Sequence, residues 1–222
     1  MSDAWTVADL PDLSGKTVIV TGANSGLGFE ATKGFAASGA TVVLACRNSE
    51  RGEAAADEIR GTSHRATLDV RELDLADLSS VESFADAFLA DYDELHVLCN
   101  NAGVMAIPRQ ETADGFEMQF GVNHLGHFAL TGLLLDTLES TTGETRVVTH
   151  SSGVHERGRI NFDDLHWENS YDKWGAYAQS KLANLLFAYE LDRRLDAADA
   201  SVLSTACHPG YAATNLQRRG PE

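Results

Sequence analysis

Thr17–Thr21, a run of apolar and β-branched residues, passes directly into a glycine-rich segment and then into a helix-periodic stretch at 27–38. A continuous run of this kind suits a strand covered on both faces. The same alternation recurs along the whole chain. Further strand-like runs fall at Thr41–Cys46, 66–70, 95–99, Thr145–His150 and Val202–Cys207. Helical patterns fall between them at 50–60, 78–91, 115–138 and 174–194. Within 78–91, Val81, Phe84, Ala85, Phe88 and Leu89 share one helical face. Six strands separated by helices predict a parallel sheet with right-handed crossovers, a doubly wound α/β fold. No repeat, low-complexity stretch or linker divides residues 1–222, which read as a single domain. Such sheets bind ligands beyond the carboxyl ends of their strands, and every motif below falls at such an end.

The first of these ends carries TGANSGLG at 21–28. Gly22, Gly26 and Gly28 allow close backbone approach to a pyrophosphate. Asn24, Ser25 and Leu27 share the turn, where helix N–H groups and the dipole favour an anion. The spacing is G-x-x-x-G-x-G rather than G-x-G-x-x-G. On glycine alone a tight structural turn competes, but placement between first strand and first helix favours a dinucleotide. The second strand ends in ACRNS at 45–49, and the first acid after it is Glu50. An NAD site usually has an acid at the strand end, about 20 residues beyond the glycines. Arg47 offers instead a bidentate partner for the 2′-phosphate of NADP. NADP(H) is therefore favoured over NAD(H), the competing reading of Arg47 being a solvated loop residue. Asp74, in LDL at 73–75, follows the third strand and could equally cap the next helix. In Asn100-Asn101-Ala102-Gly103 the amides can tie loops together, and Ala-Gly leaves space beside a flat cofactor.

Tyr177 and Lys181 are four apart in a predicted helix and so share a face. Moving a phenol from a pKa of ~10 to ~7 requires about 4 kcal/mol. A cation at ~4 Å supplies about that at an effective dielectric near 20, so Lys181 could do most of the work, helped by an oxidised nicotinamide. A bare Y-x-x-x-K also arises by chance on amphipathic helices.

Taken in order, the segments TGANSGLG, LDL, NNAG (100–103), VNHLGHF (122–128), THSSG (149–153), YAQSK (177–181) and HPGYAATNL (208–216) resemble the short-chain dehydrogenases/reductases over nearly the whole chain. The wording TGANSGLG, ACR and YAQSKLANLLF is most similar to the retinol dehydrogenase and WW-domain oxidoreductase branch, with protochlorophyllide reductase as a cousin. The resemblance implies a Rossmann-type fold and a catalytic tetrad. Tyr177 is its general acid/base, and Lys181 lowers the tyrosine pKa and holds the nicotinamide ribose. Ser152 binds the substrate oxygen, and Asn123 maintains a water and proton relay behind Lys181. From the residues alone, Ser151 also fits a loop or cap role beside Ser152, and Asn123 could be a buried polar residue kinking the long helix. The resemblance further implies cofactor contacts at Asp74, Leu75, Asn100, Ala102 and Gly103, and at Pro209, Gly210 and Thr214 near the nicotinamide. Two departures stand out. Ser152 and Tyr177 are 25 residues apart, wider than is usual in the family, and the intervening 154–174 forms either part of a substrate wall or a solvated excursion. Family members also continue past the PG segment through a substrate lobe, so the family pattern implies a truncated chain and an open substrate side.

Charge and cysteine content bound the rest. With 33 acids, 17 bases and a net charge of −16, the chain opposes nucleic acid and anionic membranes. Only Lys16, Lys33, Lys173 and Lys181 are lysines. The acid excess suggests a salt-rich cytoplasm in which screening relieves self-repulsion. Cys46, Cys99 and Cys207 are too few and too widely spaced for a disulfide framework or metal knuckle, and read as buried thiols. The first fourteen residues lack a basic region, and no apolar run reaches the ~18 residues a spanning helix needs. Scattered histidines complete no convincing metal site, so no metal is expected. The expectation is a cytoplasmic NADP(H)-dependent oxidoreductase of an apolar carbonyl or alcohol, with a homo-oligomer admitted by the family pattern. The alternative is a catalytically silent NADP(H)-binding regulator or scaffold.

Overall fold

The computed structural model describes residues 6–63 and 66–210. Strands Thr17–Thr21 (β1), Thr41–Cys46 (β2), Thr67–Glu72 (β3), Val97–Asn100 (β4), Thr145–His150 (β5) and Val202–Cys207 (β6) form one sheet in the order β3-β2-β1-β4-β5-β6. All neighbouring pairs are parallel, so successive strands are joined by crossovers. The crossovers carry α1 (Gly26–Ala37), α2 (Ser49–Thr62), α3 (Leu78–Asp91), α4 (Met118–Phe120) continuing into α5 (Gly126–Ser140), and α6 (Lys173–Ala197). Strand order reverses between β1 and β4, and a crevice opens there beyond the strand ends.

Side chains alternate across the sheet. Val18, Val20, Val42 and Leu44 join Ala36 of α1 and Ala56 and Ile59 of α2 in one cluster. Ile19, Val43, Leu98 and Val147 join Phe84 and Phe88 of α3, Leu130 and Leu134 of α5, and Leu191 of α6 in the other. Burial on both faces is why β1 and β2 read as unbroken apolar runs.

Several boundaries differ from expectation for local reasons. β3 is displaced to Thr67–Glu72 and lies at the sheet edge. Its polar residues pack rather than splay. Arg71 bonds Asp69 Oδ2 at 2.7 Å and Asp91 Oδ2 at 2.6 Å and lies 5.2 Å over the Tyr92 ring. The helix expected from 115 begins at Met118, because Gly115 has φ +82° and the buried Glu117 carboxylate caps the N–H groups of Gln119 and Phe120 at 3.0 and 2.7 Å. Between α4 and α5, Gly121–Leu125 forms a π turn closed by the Gly126 N–H on the Gly121 carbonyl. A Cβ at Gly126 would lie 2.6 Å from the Leu75 oxygen, so the helix could not otherwise approach that loop. The thiols also differ from expectation: Cys46 is buried, Cys99 half-buried and Cys207 exposed. Cys207 shares a face of β6 with exposed Leu203 and Thr205.

Candidate active site

The glycine turn is shaped by its neighbours. Gly22 has φ +66°, and a Cβ there would lie 3.0 Å from Ala102. A Cβ at Gly28 would lie 2.4 Å from the Gly22 oxygen and 2.5 Å from Asn101 Nδ2. The β1 turn and the β4 loop are thus packed backbone to backbone, which explains these two glycines without a ligand. Thr21 and Asn101 fasten them: Asn101 Nδ2 donates to the Thr21 carbonyl at 2.8 Å, and the N–H groups of Asn101 and Ala102 donate to Thr21 Oγ1 at 2.9 Å each. The Cys46 thiol beneath the turn is pushed up to about 11 by burial, against hydrogen bonds from Ala23 and Asn24 N–H.

The start of α1 does fit a cofactor. Gly26 has φ +57° and turns the chain into the helix, where Leu27 and Gly28 form the first turn. Ser25, the N-cap, makes no side-chain capping bond. In contrast Asn48, Asp77 and Asp172 cap α2, α3 and α6. An uncapped first turn leaves N–H donors and the positive dipole end for an anion such as a pyrophosphate. Arg47 is exposed just past β2 and makes no ion pair among the described residues.

On the other side of the crevice, α6 is positioned by Asp172, which accepts from the N–H groups of Trp174 and Gly175 at 3.2 and 3.1 Å. Tyr177 is 5% exposed, and the Ser152 side chain, which accepts the Val154 N–H at 3.4 Å, lies near enough to favour its ionised form. Burial nevertheless holds the tyrosine above its usual pKa, outweighing Ser152. This reverses the expected direction. Lys181 Nζ is 5.8 Å from the ring centroid, and it is itself buried and lowered to about 8 by desolvation. Nζ donates to the His150 carbonyl at 3.0 Å. The same oxygen accepts from Asn184 Nδ2 at 3.0 Å.

Asn123 lies in the π turn, fully buried. Its Oδ1 accepts the Val104 N–H at 2.8 Å, and its Nδ2 donates to the Val104 carbonyl and Ser180 Oγ, both at 2.9 Å. Both amide protons are committed to protein. Gly103 fits between: a Cβ there would lie 2.9 Å from Asn123 Oδ1 and 3.6 Å from Lys181 Nζ. Ser152, Tyr177, Lys181, Asn123 and Gly103 are thus gathered at one place.

Other expected residues stand apart. Asp74 Oδ1 accepts the Ala76 N–H at 2.9 Å in a local turn, and Asp77 rather than Asp74 caps α3. The Leu75 side chain belongs to the core. Asn100 is buried toward α5, donating to Thr131 Oγ1 at 3.0 Å, while its Oδ1 has no partner among the described residues. Only the main chain of these last two can border a ligand. Pro209 and Gly210 are exposed just beyond β6. Thr214 lies outside the described residues.

Two features escaped the sequence. Asn184 is one turn beyond Lys181 on the same helix face, a spacing that helical periodicity could have flagged. Gln179, fully buried, clasps the segment between Ser152 and Tyr177 through the Asn161 N–H at 3.1 Å and the Leu165 carbonyl at 2.9 Å. Arg109 holds the same segment through the carbonyls of His166 and Trp167. It is therefore a tethered wall with none of residues 154–174 fully buried, and Phe162 is 82% and Trp174 42% exposed. Among the described residues there is no group of metal-binding side chains and no helix long and apolar enough to cross a membrane.

Comparison with known proteins places these features in context. The family model for short chain dehydrogenase matches residues 16–222. Human retinol dehydrogenase 13 is 49% identical over 207 residues, covering 93% of this chain and 62% of that protein. The chain thus spans less than two thirds of that relative's length. An uncharacterized protein from Mycobacterium paratuberculosis, 52% identical, superposes with a TM-score of 0.85 over 97% of this chain and 75% of that one. A short chain dehydrogenase/reductase from Burkholderia phymatum in complex with NAD gives 0.76 at 26% identity, over 96% and 73%. One from Shigella flexneri complexed with NADP gives 0.73 at 27%, over 90% and 80%.

Proposed function

Because this chain belongs to the short-chain dehydrogenase family, we propose that it is an NADP(H)-dependent oxidoreductase interconverting a carbonyl and an alcohol. The observation that carries this reading is buried Tyr177 with Lys181 Nζ 5.8 Å from its ring and Ser152 nearby, across the crevice from the uncapped start of α1. The glycine turn from Gly22 to Gly28, which leads into the first turn of α1, would hold the pyrophosphate, and Arg47 the 2′-phosphate. A bound nicotinamide would give or take the hydride. Tyr177 Oη would protonate the carbonyl oxygen during reduction and accept the proton in reverse, while Ser152 Oγ would hold the same oxygen. Burial disfavours the tyrosinate, so Lys181 and Ser152 must act against it, and a positive charge near the ring would shift the balance further.

Exposed Trp174 and Phe162 on the wall support an apolar substrate. Exposed Phe128 and Leu133 on α5 and Leu186 and Tyr189 on α6 support a homo-oligomer, and sedimentation as a monomer at all concentrations would remove it. The net charge of −16 supports a salt-rich cytoplasm as the setting. For the reaction, Tyr177→Phe should lower kcat about 10²- to 10⁴-fold with cofactor binding retained. Turnover at the wild-type rate in that variant would sink the mechanism. Arg47→Ala should weaken NADPH about tenfold and leave NADH within about twofold. An equal effect on both cofactors would overturn the NADP assignment.

A further inference from the structure

His127 is 2% exposed and is not part of the machinery described above, yet it touches both sides of it. Its Nε2 is 2.8 Å from Thr21 Oγ1 at the end of β1. Its Nδ1 is 3.1 Å from the main-chain oxygen of Asn123 in the π turn. Hydrogen-bond accounting fixes the ring. A threonine hydroxyl has two acceptor lone pairs and one proton. The lone pairs of Thr21 Oγ1 are taken by the Asn101 and Ala102 N–H groups at 2.9 Å each. Its proton must therefore go outward, and the near acceptor is His127 Nε2, the Cys99 oxygen being at 3.3 Å. Nε2 is bare, so the neutral ring carries its proton on Nδ1 and donates it to Asn123.

Burial holds the ring neutral: desolvation lowers His127 to about 3, and the charge of Lys181 pushes the same way, against the Asn123 bond. A second strut runs through Thr131, which bonds the His127 carbonyl at 2.8 Å and receives Asn100 Nδ2 at 3.0 Å. One imidazole thus joins the β1 and β4 ends, which form the cofactor floor, to the turn whose Asn123 clamps Val104 and Ser180.

We propose that His127 is a positioning residue: a neutral Nδ1-protonated imidazole that holds the Asn101–Ala102 main chain through Thr21, and the Asn123 turn through its carbonyl, at a fixed separation. The consequence for cofactor and turnover rests on the dehydrogenase reading; the coupling of the two segments does not.

Two amide replacements separate the ends. In His127→Asn the Nδ2 group stands near the lost Nδ1, keeping the donor to Asn123 and removing the acceptor for Thr21. In His127→Gln the Oε1 atom reaches toward Thr21, and the donor to Asn123 is lost. The expected result with NADPH is a crossed split, with Kd raised about tenfold in the Asn variant and kcat lowered about tenfold in the Gln variant, the other parameter staying within about twofold. Hydrogen exchange, which needs no activity, should show the Ala102 amide exchanging faster in the Asn variant and the Val104 amide faster in the Gln variant. Nitrogen NMR of the wild-type ring should show a protonated Nδ1 and a bare Nε2 at neutral pH. Identical effects of the two variants, wild-type behaviour of both, or a ring protonated on Nε2 would each overturn the proposal. A wild-type chain that neither binds nor turns over NADPH would fell the dehydrogenase reading, while exchange and the ring spectrum would still decide the coupling.

Discussion

The two ends of the crevice, the proposed cofactor end and the proposed proton end, are built from different materials. The cofactor end is main chain and glycine, and its shape comes from what is missing: a Cβ at Gly22 or Gly28 would collide with Ala102, Asn101 or the turn itself. The proton end is built from buried polar side chains, each satisfied by another: Asn123 by Val104 and Ser180, Lys181 and Asn184 by the His150 oxygen, Gln179 by the wall. A backbone site is insensitive to pH and intolerant of volume. A site of buried titratable groups tolerates some change in volume, but it exchanges protons with the unfolded chain. The contrast teaches where each end is fragile.

Acid tests it most strongly. Desolvation lowers His124 and His150 to about 4 and His127 to about 3, against 6.5 for the free side chain. These rings are neutral when folded and take up protons on unfolding. Their contribution is fully present above about pH 6.5 and is lost as pH falls toward 4. Three such groups give a slope of up to about 4 kcal/mol per pH unit. Urea unfolding between pH 7 and 5 measures it, and a flat profile would show that the proton end is not buried as described.

Lys181 tilts the opposite limb. Its ammonium is destabilised by burial, so the wild-type chain gains stability as pH rises from about 8 toward 10.5. Lys181→Met should remove that rise and stabilise the chain by about 1–3 kcal/mol at pH 7, with turnover lost. A less stable variant at pH 7 would mean that the bond to His150 outweighs the desolvation.

At the cofactor end, Gly28→Ala should cost about 1–3 kcal/mol and weaken NADPH, whereas Gly132→Ala, where nothing lies within 4 Å, should gain about 0.5–1 kcal/mol. Equal effects at the two glycines would break the packing argument. Thr149 Oγ1 is buried in β5 without a partner among the described residues, so Thr149→Val should be neutral or gain about 1 kcal/mol by thermal melting. A clear loss would reveal a bond to that hydroxyl.

The smallest expected effect is that of added salt. Screening of the −16 charge should raise stability and NADPH affinity from low to molar salt. Equal melting temperatures across that range would make the charge incidental.

The sequence carried β1, β2, β5 and β6 to the residue, because strands covered on both faces or bounded by turns leave a sharp apolar signature. It misjudged β3, where Arg71 with Asp69, Asp91 and Tyr92 makes a polar edge packable, and the start of the long helix, where buried Glu117 serves as the cap. Glycine spacing and Y-x-x-x-K fall at the two ends of the candidate site. It also suggested Lys181 as the group that lowers Tyr177, but in the folded chain both side chains are buried, and desolvation moves the tyrosine up and the lysine down.

By itself, the sequence determined the order of strands and helices and which residue types stand at each strand end, because periodicity and glycine are local. Only the tertiary structure decided which of those residues meet. Asn101 rather than Asn100 fastens the turn, Asn184 joins Lys181 on one carbonyl, and His127 spans two loops. Hydrogen-bond partners and desolvation depend on neighbours far away in the chain, and no local pattern encodes them.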